Sequence, residues 1–301
     1  MTIQCLDHAE GPNWSLYHGD CVELMRQMPK NSVDLSVFSP PFSSLYIYSD
    51  SERDMGNVGG DEDFQESYYH ACKALWDVTK PGRNCAIHVK DLVQYSNASE
   101  IGARGIRDFS GDCIRTHQAA GWIYHSRIVI WRDPVKEMQK TKNDRLLYKN
   151  FRTDAARSGI GLPEYILVFR KWSDGMDETP NVTHDPNVYD LPTWQQWASP
   201  VWMDTRETNV LNVKSAKDEQ AERHLCPMPL DLTNRCIQMW SNPGDVVLSP
   251  FAGIGSEGFE ALKLGRKFIG CELKDSYFQT AAKNLRDAET EADAPLLELL
   301  G

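Results

Sequence analysis

DVVLSPFAGIGSEGFEALKLGRKFIGCEL, Asp245 to Leu273, decides the fold. A short apolar run reaches Ser249, meets Pro250, and enters a glycine turn, Gly253-x-Gly255-x-x-Gly258. A helical pattern follows to Leu264, and a second apolar run ends on an acid, Glu272. Strand, glycine turn, helix, strand and terminal acid form one nucleotide-binding unit of a parallel sheet. Glycines let the backbone approach a ligand, and a carboxylate at the next strand's end accepts ribose hydroxyls. A tight turn with no ligand would use the same glycines, so this unit alone leaves the ligand open.

Outward from it, SVDLSVFS, CAIHVK, HSRIVIW and EYILVFRKW read as further strands. Helical patterns cover Asp20 to Gln27, Phe64 to Thr79, Gly111 to Ala120, Leu230 to Trp240, Gly258 to Leu264 and Ser276 to Glu289. The alternation predicts an α/β fold on a largely parallel sheet. Pro81 to Val89 reads as a helix exit into a strand through Gly82, and Asn242 to Phe251 as a turn followed by a strand. Only 29 residues follow Glu272 in the 301-residue chain, too few for the second half-site of a dinucleotide. The rest of the sheet must be encoded earlier, a circular order that suits a single cofactor-sized site beside a substrate site.

The earlier half carries its own signal, VDLSVFSPPFSSLY, Val33 to Tyr46. Its apolar run stops at Ser39-Pro40-Pro41-Phe42, and two prolines cannot continue a ladder because each lacks a backbone donor. This corner is either a plain strand stop with Phe42 in the core or a rigid clamp for something flat. Residues 173–222, rich in Pro, Asp and Asn, read as an irregular insertion beyond the sheet, ordered in places by Trp194, Trp197 and Trp202, with Trp172 just before it. The final dozen residues read as a frayed tail or a docking segment.

No apolar run approaches the ~18 residues of a membrane span. The first residues lack a basic stretch before an apolar core, so no secretory signal is expected. Eight cysteines are scattered without a Cys-x-x-Cys pair and eight histidines without ligand spacing. Free thiols, no metal and a cytoplasmic location are expected. The net charge of −11 is uneven. Residues 1–130 hold 11 basic and 17 acidic residues (−6), 131–172 hold 10 and 5 (+5), and 173–301 hold 11 and 21 (−10). One basic stripe on an acidic protein suits a phosphate backbone, although a solvated helical face would look alike.

Taken together these stretches resemble the DNA amino-methyltransferases that act on cytosine N4 or adenine N6. Ser39-Pro40-Pro41-Phe42 resembles their catalytic motif, and Phe251 to Gly255 their S-adenosylmethionine loop. The catalytic motif preceding the loop is the permuted order of the beta class. HGDCVELMRQMP (His18 to Pro29), GLPEYILVFRK (Gly161 to Lys171) and HLCPMPLDL (His224 to Leu232) extend the likeness over most of the chain. It implies a Rossmann-like methyltransferase sheet, mostly parallel with one antiparallel strand. Residues 1–172 would form a catalytic half, 173–222 a target-recognition insertion, and 223–301 an S-adenosylmethionine-binding half of the same domain. One departure stands at Ser249, where the family places Asp.

The resemblance assigns catalysis to Ser39, Pro40, Pro41 and Phe42, and the cofactor to Asp20, Ser249, Phe251, Gly253, Gly255 and Glu272. An exocyclic amine is a poor nucleophile because its lone pair is delocalised into the base. Acceptors on its hydrogens, here Ser39 Oγ and the Pro40 carbonyl, localise that pair, and Phe42 offers a stacking face to a flipped base. Asp20 directly precedes a helical pattern, so a cap competes with its contact to the cofactor's adenine end. Segment 224–230 would close over the methionyl group. The double-stranded DNA partner would meet Lys136, Lys140, Lys142, Arg145, Lys149, Arg152 and Arg157. The long polar loop 43–63, with Arg53 and Asn57, reads as a lid or substrate loop, and Trp194 and Trp197 as readers of base edges.

Ser39 favours cytosine N4 over adenine N6 in this family. Carbon-5 methylation is excluded because the related family carries its thiolate in a Pro-Cys pair, absent here; zinc deamination would need HxE and PCxxC patterns, also absent. RNA or protein-amide methylation, a nucleotide-binding oxidoreductase and a catalytically silent DNA-binding protein are the competing classes. Monomer or homodimer, recognition site, a companion restriction enzyme and a bacterial or phage origin are left open.

Overall fold

A computed structural model describes residues 4–42, 61–98, 102–141, 146–211 and 227–300. In chain order the strands are β1 (Asp7–Gly11), β2 (Trp14–His18), β3 (Val33–Phe38), β4 (Thr79–Lys90), β5 (Leu92–Gln94), β6 (Gly105–Arg107), β7 (Ile123–Ile130), β8 (Glu164–Arg170), β9 (Val201–Trp202), β10 (Val246–Ser249) and β11 (Lys267–Glu272). The α-helices are α1 (Cys21–Gln27), α2 (Asp61–Val78), α3 (Phe109–Ala119), α4 (Pro134–Thr141), α5 (Tyr148–Thr153), α6 (Leu191–Trp197), α7 (Leu230–Trp240), α8 (Ser256–Lys263) and α9 (Asp275–Leu300).

Nine strands form one sheet in the order β1-β2-β11-β10-β3-β4-β8-β7-β9, and β5 and β6 form a separate ribbon. Every residue of β3 is buried, the mark of a strand covered on both faces. One apolar layer joins that sheet to α1, α2 and α3 through Leu24, Met25, Phe64, Leu75, Phe109 and Cys113. The other joins it to α7, α8 and α9 through Leu232, Ile237, Ala261, Phe278, Ala282 and Leu285. Asp34, almost wholly buried, ties three strands at the far end: it accepts from Lys80 Nζ at 2.7 Å and Val246 N at 3.0 Å, with Arg83 at 3.5 Å.

The expected Rossmann-like sheet is present, with β8 antiparallel to both β4 and β7. A second antiparallel member, β1, enters through an N-terminal hairpin that pairs β2 to β11 outside the expected strands. That hairpin is half polar, so it lacks the apolar run that marks the central strands. Two further readings change. α2 passes directly into β4 at Thr79, so Gly82, at φ +76°, lies inside the strand and not in a helix exit. The segment 173–222 is not wholly beyond the sheet: β9 pairs with β7, and Trp202 is buried there with Nε1 donating to the Trp197 carbonyl at 3.0 Å. Two residues of strand carry no readable alternation. Among the described residues no helix is long and apolar enough to cross a membrane.

Candidate active site

Strand order reverses between β10 and β3, for β10 leads outward to β11 and β3 to β4. Such a switch point leaves a crevice at the carboxyl ends of the two strands, where open α/β sheets bind ligands. Leu248 pairs with Ser36 in parallel register, so both chains leave the sheet at one edge. β10 leaves into the glycine turn and β3 into Ser39-Pro40-Pro41-Phe42. Phe38 and Phe251 meet across the seam with ring centroids 5.6 Å apart. Ser39 is half-buried, Pro40 buried, and Pro41 and Phe42 half-buried. The Phe42 ring leans on Phe109 at 6.0 Å, so the core supports one side of it.

In the glycine turn Gly253 N donates to Glu272 Oε2 and Lys274 N to Glu272 Oε1, both at 2.8 Å. The acid at the end of β11 thus clasps the turn as well as standing beside it. The three glycines differ in purpose. Gly253, at φ +54°, has nothing within 4 Å of an added Cβ, so the turn has an open flank there. Gly255 is left-handed at φ +89° and sits close to Ala281. At Gly258 a Cβ would lie 2.4 Å from Leu285 and 2.5 Å from Phe268, which makes it the packing glycine.

Ser249 is fully buried beneath the turn, and its Oγ has no hydrogen-bond partner among the described residues; Ser256 Oγ at the start of α8 is the same. Beside them burial, aided by the charge of Glu272, pushes the Glu257 carboxyl up to about 8, against a lowering by its own backbone N–H. Asp20 caps α1, its Oδ1 accepting from Val22 N and Glu23 N at 2.9 Å. The cap reading is therefore realised, and the cap lies at the same edge, where Gly19 N donates to the Glu272 carbonyl at 3.0 Å. Open space at Gly253, an orphaned hydroxyl and a strand-end acid fit an adenosine-bearing cofactor. Among the described residues no group of three or more His, Cys, Asp or Glu is placed to hold a metal.

Three residues with no assigned role in the sequence stand behind the Ser39 corner. Ser39 Oγ lies 3.4 Å from His88 Nδ1, His88 Nε2 lies 2.8 Å from Glu164 Oε2, and Arg132 Nη2 donates to that same oxygen. Burial would raise Glu164, but His88 and Arg132 outweigh it and hold the carboxyl well below its usual range. The available signals were slight: one imidazole inside an apolar strand, and an acid opening the run EYILVFRKW.

Of the basic stripe, Lys136, Lys149, Arg152 and Arg157 are exposed, interleaved with exposed Tyr148 and Phe151, whose rings stack at 6.5 Å. Lys142, Arg145, loop residues 43–60 with Arg53 and Asn57, and 224–226 lie outside the described residues. The rest of the 224–230 segment leads into α7, with Leu230 N bonded to the Asn209 carbonyl at 2.8 Å. Trp194 is 61% exposed on α6, while Trp197 is half-buried against Tyr189 at 5.6 Å.

Residues 33–283 match a family model described as DNA methylase. The type II methyltransferase M.MthZI of Methanothermobacter thermautotrophicus is 26% identical over 269 residues, 84% of this chain and 71% of that protein. M.BamHI of Bacillus amyloliquefaciens is 24% identical over 280 residues, and this chain spans about half its length, 54%. Among solved structures, a Thermus thermophilus protein complexed with S-adenosyl-L-methionine superposes with a TM-score of 0.66 at 22% identity, over 91% of this chain and 93% of that one. The cytosine-N4-specific PvuII DNA methyltransferase gives 0.63 at 17% identity, over 96% of each chain. These two likenesses establish the fold.

Proposed function

The chain belongs to the DNA methylase family, and from that premise we propose that it methylates the exocyclic N4 of a cytosine flipped out of double-stranded DNA, with S-adenosylmethionine as donor. The observation that carries this reading is the meeting of Ser39-Pro40-Pro41-Phe42 and the glycine turn at one switch point. S-adenosylmethionine, when bound, supplies an electrophilic methyl on a sulfonium. Glu272, Gly253 and Gly255 would hold it with Phe251 alongside, Asp20 would serve its adenine end and Ser249 would lie beneath it.

On the other side of the seam, Ser39 Oγ and the Pro40 carbonyl accept the two amine hydrogens and turn the nitrogen lone pair out of the ring. The prolines fix both acceptors before the base arrives, which removes much of the ordering cost. Phe42, braced from behind by Phe109, stacks on the base. Extruding a base costs a few kcal/mol, offset by stacking and edge hydrogen bonds. Exposed cations of α4 and α5, with Arg157, grip phosphates. The acidic, tryptophan-bearing segment 173–222 is the region that reads the target sequence.

The test is nucleoside mass spectrometry of plasmid DNA propagated with the protein, with Ser39→Ala as control. N4-methylcytosine that the variant abolishes is the expected result. N6-methyladenine would preserve the amine chemistry and overturn the choice of base. No modified base, from folded protein that binds S-adenosylmethionine, would overturn the DNA reading.

A further inference from the structure

Buried histidines are often plain core residues, and His117 of α3 is one here. It is fully buried, stacked on Phe169 at 4.0 Å, bonded through Nδ1 to the Cys113 carbonyl at 2.9 Å, and pushed down to about 4 by burial. His88 is differently built. Each of its ring nitrogens meets a polar side chain from another segment, and one of the two is Ser39.

The partners decide the tautomer. Glu164 is anionic beside Arg132, so the nitrogen facing it, Nε2, must carry the proton to make the 2.8 Å bond. Nδ1 then presents a lone pair to Ser39, and the serine hydroxyl donates to it. With its hydrogen committed there, Ser39 Oγ turns its own lone pairs outward as an acceptor for an amine hydrogen. The 3.4 Å separation is long for such a bond, as catalytic contacts are before substrate closes them.

We propose that His88 is a positioning residue that orients Ser39 as an acceptor and takes the amine's proton through it, with Glu164 and Arg132 fixing the imidazole. This rests on the amine-methylation reading above. The amine nitrogen forms a bond to the methyl carbon as the carbon–sulfur bond breaks, and its electrons return to sulfur. The nitrogen, now positively charged, gives a proton to Ser39 Oγ, which passes its own proton to His88 Nδ1. The imidazolium is held by Glu164 and later releases its proton to solvent, so charge and atoms balance. The arrangement follows the logic of a nucleophile, base and orienting acid, with the serine acting as a relay and not as a nucleophile. Among the described residues, the charged and titratable groups around His88 are Ser39 beyond β3, Glu164 on β8 and Arg132 beyond β7; Lys90, two residues along β4, is paired with Glu137 of α4.

Methyl transfer by His88→Gln and Glu164→Gln tests the proposal, with S-adenosylmethionine and DNA affinities measured alongside. His88→Gln should drop kcat by about 10²-fold, the usual reach of a single acid–base group, with KM values within twofold. A kcat within threefold of wild type would overturn the proposal. The nitrogen-15 imidazole spectrum of the free protein gives a check independent of turnover: His88 protonated at Nε2 supports it, and protonation at Nδ1 refutes it. If wild type methylates no DNA at all, the functional reading falls, while the spectrum still decides the geometry of the Ser39–His88–Glu164 chain.

Discussion

Glu257 occupies the first turn of α8, where its carboxyl is buried and pushed up to about 8 from 4.5. Folding therefore retains a proton that the unfolded chain releases between these values. Stability should fall as pH rises from about 4.5 to 8 and then level off, a loss of a few kcal/mol. Glu257→Gln removes the titration, so its denaturation midpoint should exceed wild type at pH 8.5 and match it near pH 4.5. A variant weaker than wild type at both values would refute this account. Nothing in GSEGFE betrays that burial, because the spacing that makes Glu257 inward depends on how α8 lies on the sheet. Ser39 and Glu272 were legible as single residues because each ends an apolar run. His88 and Glu164 were not, since they stand 76 positions apart and meet only through the antiparallel pairing of β4 and β8.

At the scale of an element, α8 shows what the third glycine does. The helix approaches both β11 and α9 so closely that Gly258→Ala would press a methyl into Phe268 and Leu285. A cost of about 1–3 kcal/mol is expected, read as a lower midpoint in urea with unchanged slope. Gly258→Ala with wild-type stability would mean that α9 can shift. Long periodic elements were legible: α7 matches its expected bounds, and β3, β4, β7, β8, β10 and β11 lie where the apolar runs put them. The short elements of the 173–222 segment were not. β9 is set by burial of Trp202, and α6 by an Asp190 cap followed by Pro192, both overridden in the sequence by a polar, proline-rich background.

For the whole molecule, the exposed cations of α4 and α5 stand among Tyr148 and Phe151 on a protein of net charge −11. Lys149→Glu with Arg152→Glu should weaken DNA binding whatever the sequence and lower the slope of log affinity against log salt by about 2. S-adenosylmethionine affinity should stay unchanged. An unaltered slope would exclude this face from the phosphate backbone. The sequence by itself determined the α/β class, the glycine turn with its acid, and the proline corner, because each is local: a run, a turn residue and a stop lie side by side in the chain. Only the tertiary structure decided that β10 and β3 are neighbours, that an N-terminal hairpin closes one edge, and that His88, Glu164 and Arg132 stand behind Ser39. Those outcomes depend on strand order and register, which are chosen by burial over the whole sheet and leave no mark in any single stretch.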